Sequence, residues 1–185
     1  TTNCVAPVLA IMHQQFGVLK AMMTTVHAYT DDQRLQDNSH KDLRRARSAA
    51  QNLIPTDTGA AEATAQSVPD LAGKFDGLAI RVPVIAGSLC DFVFLTQKDT
   101  TPEAVNAAFV AAAKAPRWQG ILAVTDAPLV SSDIIGRPES TIVDLSFTKV
   151  VAGNLVKVLA WYDNEWGYSN RLIEQAIAIG KTLSR

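Results

Sequence analysis

A histidine at the end of a β-branched segment is the residue in this sequence best suited to proton transfer. Thr24, Thr25 and Val26 predict a strand, and the Tyr-Thr-Asp-Asp stretch shortly after His27 is typical of a loop. An imidazole has an unperturbed pKa of about 6.5, so its surroundings can tune it to act near neutral pH. His27 is therefore a candidate general base. A hydrogen-bonded structural histidine is the alternative, and this stretch alone does not choose between them.

Cys4 is the nearest candidate nucleophile for a Cys–His pair. A thiol at a helix start can have a lowered pKa. A cysteine followed by Val-Ala-Pro also suits a small core position, and we favour that interpretation. The sequence leaves open a disulfide between Cys4 and Cys90, but it lacks the pattern of a secreted disulfide scaffold. We therefore expect a reducing compartment, the cytoplasm.

Hydroxyl and guanidinium groups that could bind phosphate oxygens are well represented. Three arginines lie within the four residues Arg44 to Arg47, which favours an anionic partner. Arg81 stands between apolar neighbours of a predicted strand, where a guanidinium requires an ion-pair partner or an anion. The candidate anion ligands are Thr1, Thr2, Thr30, Arg45, Thr58 with Gly59, and Arg81.

Other kinds of site are disfavoured by the sequence. His13, His27 and His40 fall on different predicted elements and no cysteine pair has zinc spacing, so we expect no metal site. The sequence contains no G-x-G-x-x-G or Walker pattern, so we expect no complete dinucleotide-binding unit within it. A net charge of −1 gives no reason to expect nucleic acid, and the apolar runs are too short to predict a membrane span.

The pattern of apolar residues predicts one α+β domain over residues 1–185. Hydrophobic residues make up 48% of the chain and charged residues 19%, which is typical of a globular protein. We predict helices at 1–16, 60–68, 101–114 and 165–183, and strands at 18–28, 78–84, 88–96, 121–124, 141–148 and 155–162. Several strands follow one another directly, which favours a mixed or antiparallel sheet covered by helices. Residues 54–59 are predicted as a turn, and the polar segment of about 30–52 as a long functional loop.

Several motifs, in order along the whole chain, resemble those of the phosphorylating glyceraldehyde-3-phosphate dehydrogenases. Thr-Thr-Asn-Cys-Val-Ala-Pro at the start resembles that family's catalytic helix, and Val-His-Ala-Tyr-Thr around His27 resembles its catalytic strand. His-Lys-Asp-Leu-Arg-Arg-Ala-Arg, from His40, is similar to its long S-loop. Further matches are Thr-Gly-Ala-Ala from Thr58, Arg-Val-Pro from Arg81, and Trp-Tyr-Asp-Asn-Glu-Trp-Gly-Tyr-Ser from Trp161.

The resemblance implies a role for each matching residue. His27 would be the general base that activates a thiol, and Thr30 and Arg81 would hold the C3 phosphate of glyceraldehyde 3-phosphate. Inorganic phosphate would be held by Thr1, Thr58 and Gly59, with Arg45 as a further contributor. Asn164 would fix the nicotinamide of NAD or NADP, with Tyr168 nearby. The implied reaction is oxidation of the aldehyde through a cysteine thioester, followed by phosphorolysis, in glycolysis or a Calvin-type pathway.

The sequence departs from the family pattern at its start. The nucleophilic cysteine of that pattern comes immediately before the first of the two threonines, which here is Thr1, and Cys4 matches the second, non-nucleophilic cysteine. The amino-terminal Rossmann domain is also not in this chain. We therefore expect the chain to pair with its own Rossmann domain within a homotetramer, and to be inactive alone as a non-catalytic assembly module.

Two further details bear on specificity. NAD-preferring relatives commonly have Leu-Pro or Gly-Pro before the His-Lys-Asp stretch, whereas this chain has Asn38-Ser39. A serine hydroxyl can donate to a 2′-phosphate on a neighbouring subunit and proline cannot, so Ser39 predicts tolerance of NADP.

Erythrose-4-phosphate dehydrogenase is the alternative within the same fold. Thr30 argues against it, because that branch lacks the His-Ala-x-Thr pattern.

Overall fold

The computed structural model describes residues 1–183, apart from the side chain of Ala65. The helices are α1 (Thr2–Phe16), α2 (Ala60–Ser67), α3 (Pro102–Lys114), α4 (Ser131–Ile134) and α5 (Trp166–Leu183). The strands are β1 (Val18–Ala28), β2 (Ile54–Asp57), β3 (Phe75–Val82), β4 (Ser88–Thr96), β5 (Leu122–Thr125), β6 (Thr141–Val151) and β7 (Leu155–Tyr162).

The strands of the described chain form a seven-stranded sheet in the order β2-β3-β1-β4-β7-β6-β5. The pairs β1–β3 and β5–β6 are parallel, and the other neighbours are antiparallel. The sheet is therefore mixed, and the predicted α+β class is confirmed. Parallel neighbours need a crossover connection, and the long loop, β2 and α2 together supply it between β1 and β3.

One face of the sheet is covered by α1, α2 and α3. In β4 every second side chain is fully buried, as the period of two along a strand requires for a face packed on helices. Phe92 and Phe94 stack on each other there, and Val8 and Leu9 of α1 and Phe109 of α3 complete the same core. Burial of these apolar side chains is the main force that holds α1 over the sheet.

Much of the opposite face of the sheet is not covered within the described chain, although Ile142 and Asp144 of β6 are buried there. Its exposed apolar side chains are Met22, Leu78, Phe147, Val151 and Leu155. Among them, Met22 and Leu78 line a cavity of about 290 Å³ on this face. Single exposed apolar residues are ordinary, but several on one face of a sheet are typical of a protein interface.

The predicted secondary structure differs from the structure in several places. Residues 54–57, predicted as part of a turn, form β2 and pair antiparallel with β3. Pro55 is compatible with this strand because β2 is the outermost strand of the sheet, where a missing N–H breaks no inner ladder. The strand predicted at 78–84 is β3, which begins earlier, and the short helix α4 had no predicted counterpart.

The segment between β1 and β2 has neither helix nor strand. Backbone hydrogen bonds fold it back on itself, from Arg34 N–H to Arg45 O (3.1 Å), from Asn38 N–H to Ala46 O (3.0 Å) and from Ala49 N–H to Arg34 O (2.8 Å). Such internal bonds are how a long loop satisfies its peptide groups without regular structure. The loop starts and ends at the sheet, so its base is fixed by β1 and β2.

Candidate active site

The predicted base, His27, and the predicted phosphate-binding arginine, Arg81, lie side by side where β1 and β3 end. This end of the strands is called the sheet edge below. The carboxyl ends of β1 and β3 run in parallel there, and their register makes His27 and Arg81 direct Cα partners. β7 ends at the same edge, and β4 starts there, with Ser88 opposite Tyr162. Residues far apart in sequence therefore converge because of strand order.

His27 is held by backbone and side-chain hydrogen bonds. Its Nδ1 lies 2.6 Å from the carbonyl oxygen of Ala28, and its Nε2 lies 2.8 Å from Nδ2 of Asn164. A carbonyl oxygen can only accept, and this contact favours the ring proton on Nδ1 and a lone pair on Nε2, although Nδ2 of Asn164 also lies 3.1 Å from Nδ1. Nη1 of Arg81 contacts Nδ1 and also lies 3.3 Å from the Ala28 oxygen, which accepts from both groups. Nε2 is therefore the basic atom of the site.

The surroundings of His27 keep it neutral. Its side chain is only 8% exposed, and this burial lowers its pKa to about 4. The positive charge of Arg81 lowers the pKa in the same direction, while the hydrogen bond to Ala28 opposes the shift. At neutral pH the imidazole is unprotonated and able to accept a proton.

Tyr162 ties the start of α1 to the strand that carries His27. Its hydroxyl lies 2.8 Å from Oγ1 of Thr1 and 3.0 Å from Oγ1 of Thr25. Its ring meets the His27 imidazole edge-on, with centroids 6.0 Å apart at 73°. Burial raises the pKa of Tyr162 well above its usual range, so the phenol stays protonated. Sequence reasoning missed Tyr162 as a site residue, although it lies in the motif that resembles the family.

Asn164 follows β7 and is held by a second residue that sequence reasoning missed. Oγ of Ser88 lies 2.8 Å from Nδ2 and 3.0 Å from Oδ1 of Asn164, and 3.1 Å from the backbone nitrogen of Ala28. Ser88 is the first residue of β4, and no signal in its sequence context distinguishes it from an ordinary strand serine.

A cleft of about 210 Å³ opens beside this network. It is lined by four of the candidate residues, Thr1, Thr2, Asn164 and Tyr168, and also by Tyr162. The ring of Tyr168 is largely exposed at the cleft. Below it, Asp163 receives hydrogen bonds from the backbone N–H groups of Glu165 and Trp166, which fixes the start of α5.

The two residues predicted to bind the C3 phosphate differ in their hydrogen bonds. The backbone N–H and the hydroxyl of Thr30 both donate to Oε1 of Gln33, at 2.7 and 3.0 Å. Within residues 1–183, the buried side-chain nitrogen and oxygen atoms without a partner are Nε2 of Gln33 and Nε of Arg81. Unpaired buried donors are costly unless a ligand accepts from them, so each of these two nitrogens is a candidate donor to an anion.

The remaining predicted phosphate and cofactor residues lie outside the His27 network. Arg45 donates to Oγ1 of Thr56 and pairs with Asp32. Oγ1 of Thr58 lies 3.3 Å from the Ala60 nitrogen, Gly59 precedes α2, and exposed Ser39 bonds to its neighbour Asn38. Over the described part of the chain, none of the four predicted residues Arg45, Thr58, Gly59 and Ser39 hydrogen-bonds to His27 or Asn164.

The two cysteines lie in the core. Cys4 and Cys90 are free, fully buried neighbours, and the Cys4 thiol donates to Oγ1 of Thr141 at 3.3 Å. The prediction that Cys4 is a core residue is thereby confirmed. Burial raises the pKa of Cys90 well above its usual range, so this thiol is unreactive at neutral pH.

Residues 1–183 lack two other kinds of feature. No group of three or more histidine, cysteine or acidic side chains is arranged to hold a metal ion within that range. None of the helices described there combines the length and the apolar character that crossing a bilayer requires.

Comparison with known proteins gives consistent matches along the chain. The family model for the C-terminal domain of glyceraldehyde 3-phosphate dehydrogenase matches residues 1–164. Glyceraldehyde-3-phosphate dehydrogenase 2 of Streptomyces avermitilis is 54% identical over 183 residues, which is 99% of this chain and 54% of the relative. The corresponding proteins of Streptomyces coelicolor and Zymomonas mobilis are 55% and 51% identical over the same share of this chain, and 54% of each is covered. The chain therefore spans about half the length of the curated relatives it matches.

Proposed function

This chain belongs to the family of glyceraldehyde 3-phosphate dehydrogenase C-terminal domains, and from that membership we propose that it supplies the base and the phosphate sites of a phosphorylating dehydrogenase. The substrate would be glyceraldehyde 3-phosphate and the product 1,3-bisphosphoglycerate. The observation that carries the proposal is the neutral His27, whose Nε2 lone pair lies beside Asn164 at the edge of the cleft.

The catalytic thiol would come from a cysteine directly before Thr1, as in the family pattern. That position is at the start of α1, which Tyr162 ties to β1 through Thr1 and Thr25. Nε2 of His27 would exchange its contact with Asn164 for the thiol proton, and the thiolate would attack the aldehyde carbon. The resulting imidazolium would be stabilised by the thiolate, because an opposite charge raises the pKa of a buried histidine.

The two phosphate groups of the reaction have separate candidate sites. Thr30 and Arg81, with the unpaired nitrogen of Arg81, would bind the C3 phosphate of the substrate. Inorganic phosphate would be held by Thr1, by Thr58 with Gly59, and by Arg45. Arg45 is already neutralised by Asp32, so its contribution requires that this ion pair open or be shared.

The cofactor would be NAD or NADP, which accepts the hydride of the aldehyde. The residues of this chain that line the cleft fit its nicotinamide end: the Asn164 amide can bond the carboxamide, and the exposed Tyr168 ring offers a flat apolar surface. Ser39 lies on the exposed loop, where its hydroxyl could reach the 2′-phosphate of NADP on a neighbouring subunit.

Two uncovered apolar surfaces support the proposed partners. The face of α5 exposes Leu172, Ile173 and Ile177, which suits docking of a dinucleotide-binding domain from the same protein. The open face of the sheet, including Met22 and Leu78, suits contact with a second copy in a homotetramer. Changing Met22 to Lys should weaken assembly, and sedimentation of the whole protein measures this. An unchanged tetramer would contradict this use of the face.

The proposed activity is tested by NADH formation in the complete protein that carries this chain. We expect it to require glyceraldehyde 3-phosphate and inorganic phosphate together, and to be much slower with erythrose 4-phosphate. The chain of residues 1–185 alone should give none, because the thiol is not in it. Absence of aldehyde-dependent NADH formation from the complete protein would overturn the proposal.

We further propose that the complete protein acts in the cytoplasm, because the two free thiols suit a reducing compartment.

A further inference from the structure

Ser88 has no role in the reaction outlined above, yet it contacts two of the groups that reaction uses. Its side chain is 1% exposed at the start of β4. Its hydroxyl oxygen lies 3.1 Å from the nitrogen of Ala28, the residue after the base, and within 3.0 Å of both polar atoms of the Asn164 amide. A fully buried hydroxyl with three polar neighbours must satisfy each of them.

The donors and acceptors around Ser88 can all be satisfied at once. The backbone N–H of Ala28 can only donate, so Oγ of Ser88 accepts from it at 3.1 Å. The hydroxyl proton of Ser88 then needs an acceptor, and Oδ1 of Asn164 lies 3.0 Å away. Nδ2 of Asn164, at 2.8 Å, donates to the second lone pair of the same hydroxyl oxygen.

His27 contacts the same amide. Nδ2 of Asn164 lies 2.8 Å from Nε2 and 3.1 Å from Nδ1 of His27. Because Nδ1 faces the carbonyl oxygen of Ala28, Nε2 is the ring atom that can accept from Nδ2. Arg81 and Tyr162 are the other polar groups that face the ring. The Asn164 amide is thus held by both Ser88 and His27.

We propose that Ser88 is a positioning residue that holds the Asn164 carboxamide in place and so determines how Asn164 meets the nicotinamide end of the cofactor. The inference rests on the proposed function in one respect, that a nicotinamide dinucleotide occupies the cleft. An amide that is free to move must be ordered when the nicotinamide binds, and this ordering lowers the affinity. Ser88 holds the amide before the cofactor arrives.

The test uses Ser88→Ala in the complete protein and two ligands, NAD and ADP-ribose, with affinities measured by calorimetry. ADP-ribose lacks the nicotinamide, so a positioning role at Asn164 leaves its Kd unchanged. We expect the Kd for NAD to rise about 10-fold, the effect of one buried hydrogen bond. Ser88→Thr keeps the hydroxyl and should recover most of the NAD affinity.

Thr96→Val is the matched control. Thr96 ends the same strand, is fully buried, and donates to the carbonyl oxygen of Lys98 at 2.9 Å. Its loss removes a buried hydroxyl from β4 without contact to His27 or Asn164. This variant should have lower stability and unchanged Kd values for both ligands.

The outcomes separate the positioning role of Ser88 from the proposed function of the chain. Equal NAD affinity in the wild-type and Ser88→Ala proteins would overturn the role of Ser88, as would an equal loss of affinity for NAD and ADP-ribose. A wild-type protein that neither binds NAD nor reduces it in the presence of the aldehyde would overturn the proposed function and, with it, this role.

Discussion

The sheet edge around His27 and the loop between β1 and β2 both concentrate polar side chains, but they hold them by different interactions. At the sheet edge, Thr25 and Ser88 are buried and bonded to neutral partners, and the buried His27 lies between the Ala28 carbonyl and Arg81. In the loop, exposed arginines pair with exposed aspartates, as in Arg47 with Asp37. Both regions lie next to β1, so the contrast arises from burial rather than from position in the sequence.

The difference affects how each region responds to change. A buried hydrogen bond that loses a partner leaves an unsatisfied group, which costs about 1–3 kcal/mol. An exposed ion pair exchanges its partner for water and typically contributes about 1 kcal/mol or less. The sheet edge should therefore be sensitive to single substitutions, and the loop should tolerate them. Substitutions in the two regions test this contrast, and their expected effects decrease from the base to a loop ion pair.

Removal of the base should have the largest effect. His27→Asn is expected to lower kcat by about 10³-fold, because Nε2 no longer accepts the thiol proton. The Kd for ADP-ribose, measured by calorimetry, should not change and reports that the variant is folded. A kcat within a few-fold of the wild-type value would show that His27 is not the base.

Acid should destabilise the two regions in different pH windows. The pKa of His27 is about 4 in the folded protein against 6.5 when unperturbed, so the unfolded state takes up this proton first on acidification. The His27 contribution is therefore fully present above about pH 6.5 and is lost as the pH falls towards 4, a change of about 3 kcal/mol. The pKa of Asp32 is lowered by its hydrogen bonds to Arg45 and His40, so its stabilisation is lost only below its usual value of 3.8.

Denaturant unfolding of the wild-type and His27→Gln proteins between pH 7 and pH 4 measures this effect. The glutamine variant should lose less stability than the wild type over that range. Parallel curves for the two proteins would contradict the depressed pKa of His27.

Loss of Arg81 should act on the phosphate of the substrate. Arg81→Ala is expected to lower kcat/KM for glyceraldehyde 3-phosphate by about 100-fold, because the charged hydrogen bonds to the phosphate are lost. Turnover of unphosphorylated glyceraldehyde should change much less. Arg47→Ala, which removes an exposed loop arginine, is the matched control and should leave both rates unchanged. Equal losses on the two aldehydes would exclude a phosphate role.

A loop position should influence cofactor choice. Ser39→Pro is expected to lower the ratio of NADP to NAD turnover by about 10-fold, since the hydroxyl that could donate to the 2′-phosphate is removed. NAD turnover should stay the same. Steady-state kinetics with each cofactor measure the ratio, and a wild-type protein with no NADP turnover above background would end this prediction.

The smallest effect is expected for a loop ion pair. Asp37→Asn removes the partner of Arg47, in a pair whose two side chains are both largely exposed. Its free energy of unfolding at neutral pH should fall by less than about 1 kcal/mol, with no change in kcat. Denaturant titration checks the first value, and a loss as large as that of a buried hydroxyl such as Thr96→Val would contradict the contrast between the two regions.

The sequence predicted the elements with long and regular patterns. The helix at 101–114 and the strands at 18–28, 88–96 and 155–162 agree with α3, β1, β4 and β7 within one residue at each end. Local patterns suffice for these because their apolar spacing matches one period throughout. β2 was missed because Pro55 and Asp57 are turn residues by type, and the strand exists only through its pairing with β3.

Residue types and motifs by themselves determined that His27 is a base candidate and that Thr30 and Arg81 are phosphate candidates. Only the tertiary structure brought His27 and Arg81 into register, because β3 pairs with β1 across a connection of more than forty residues. It also decided the state of the base. Burial keeps His27 neutral, and the Ala28 carbonyl favours the proton on Nδ1. Tyr162 and Ser88 were missed for a related reason. The function of a hydroxyl cannot be read from its neighbours in sequence, because strand order determines its partners.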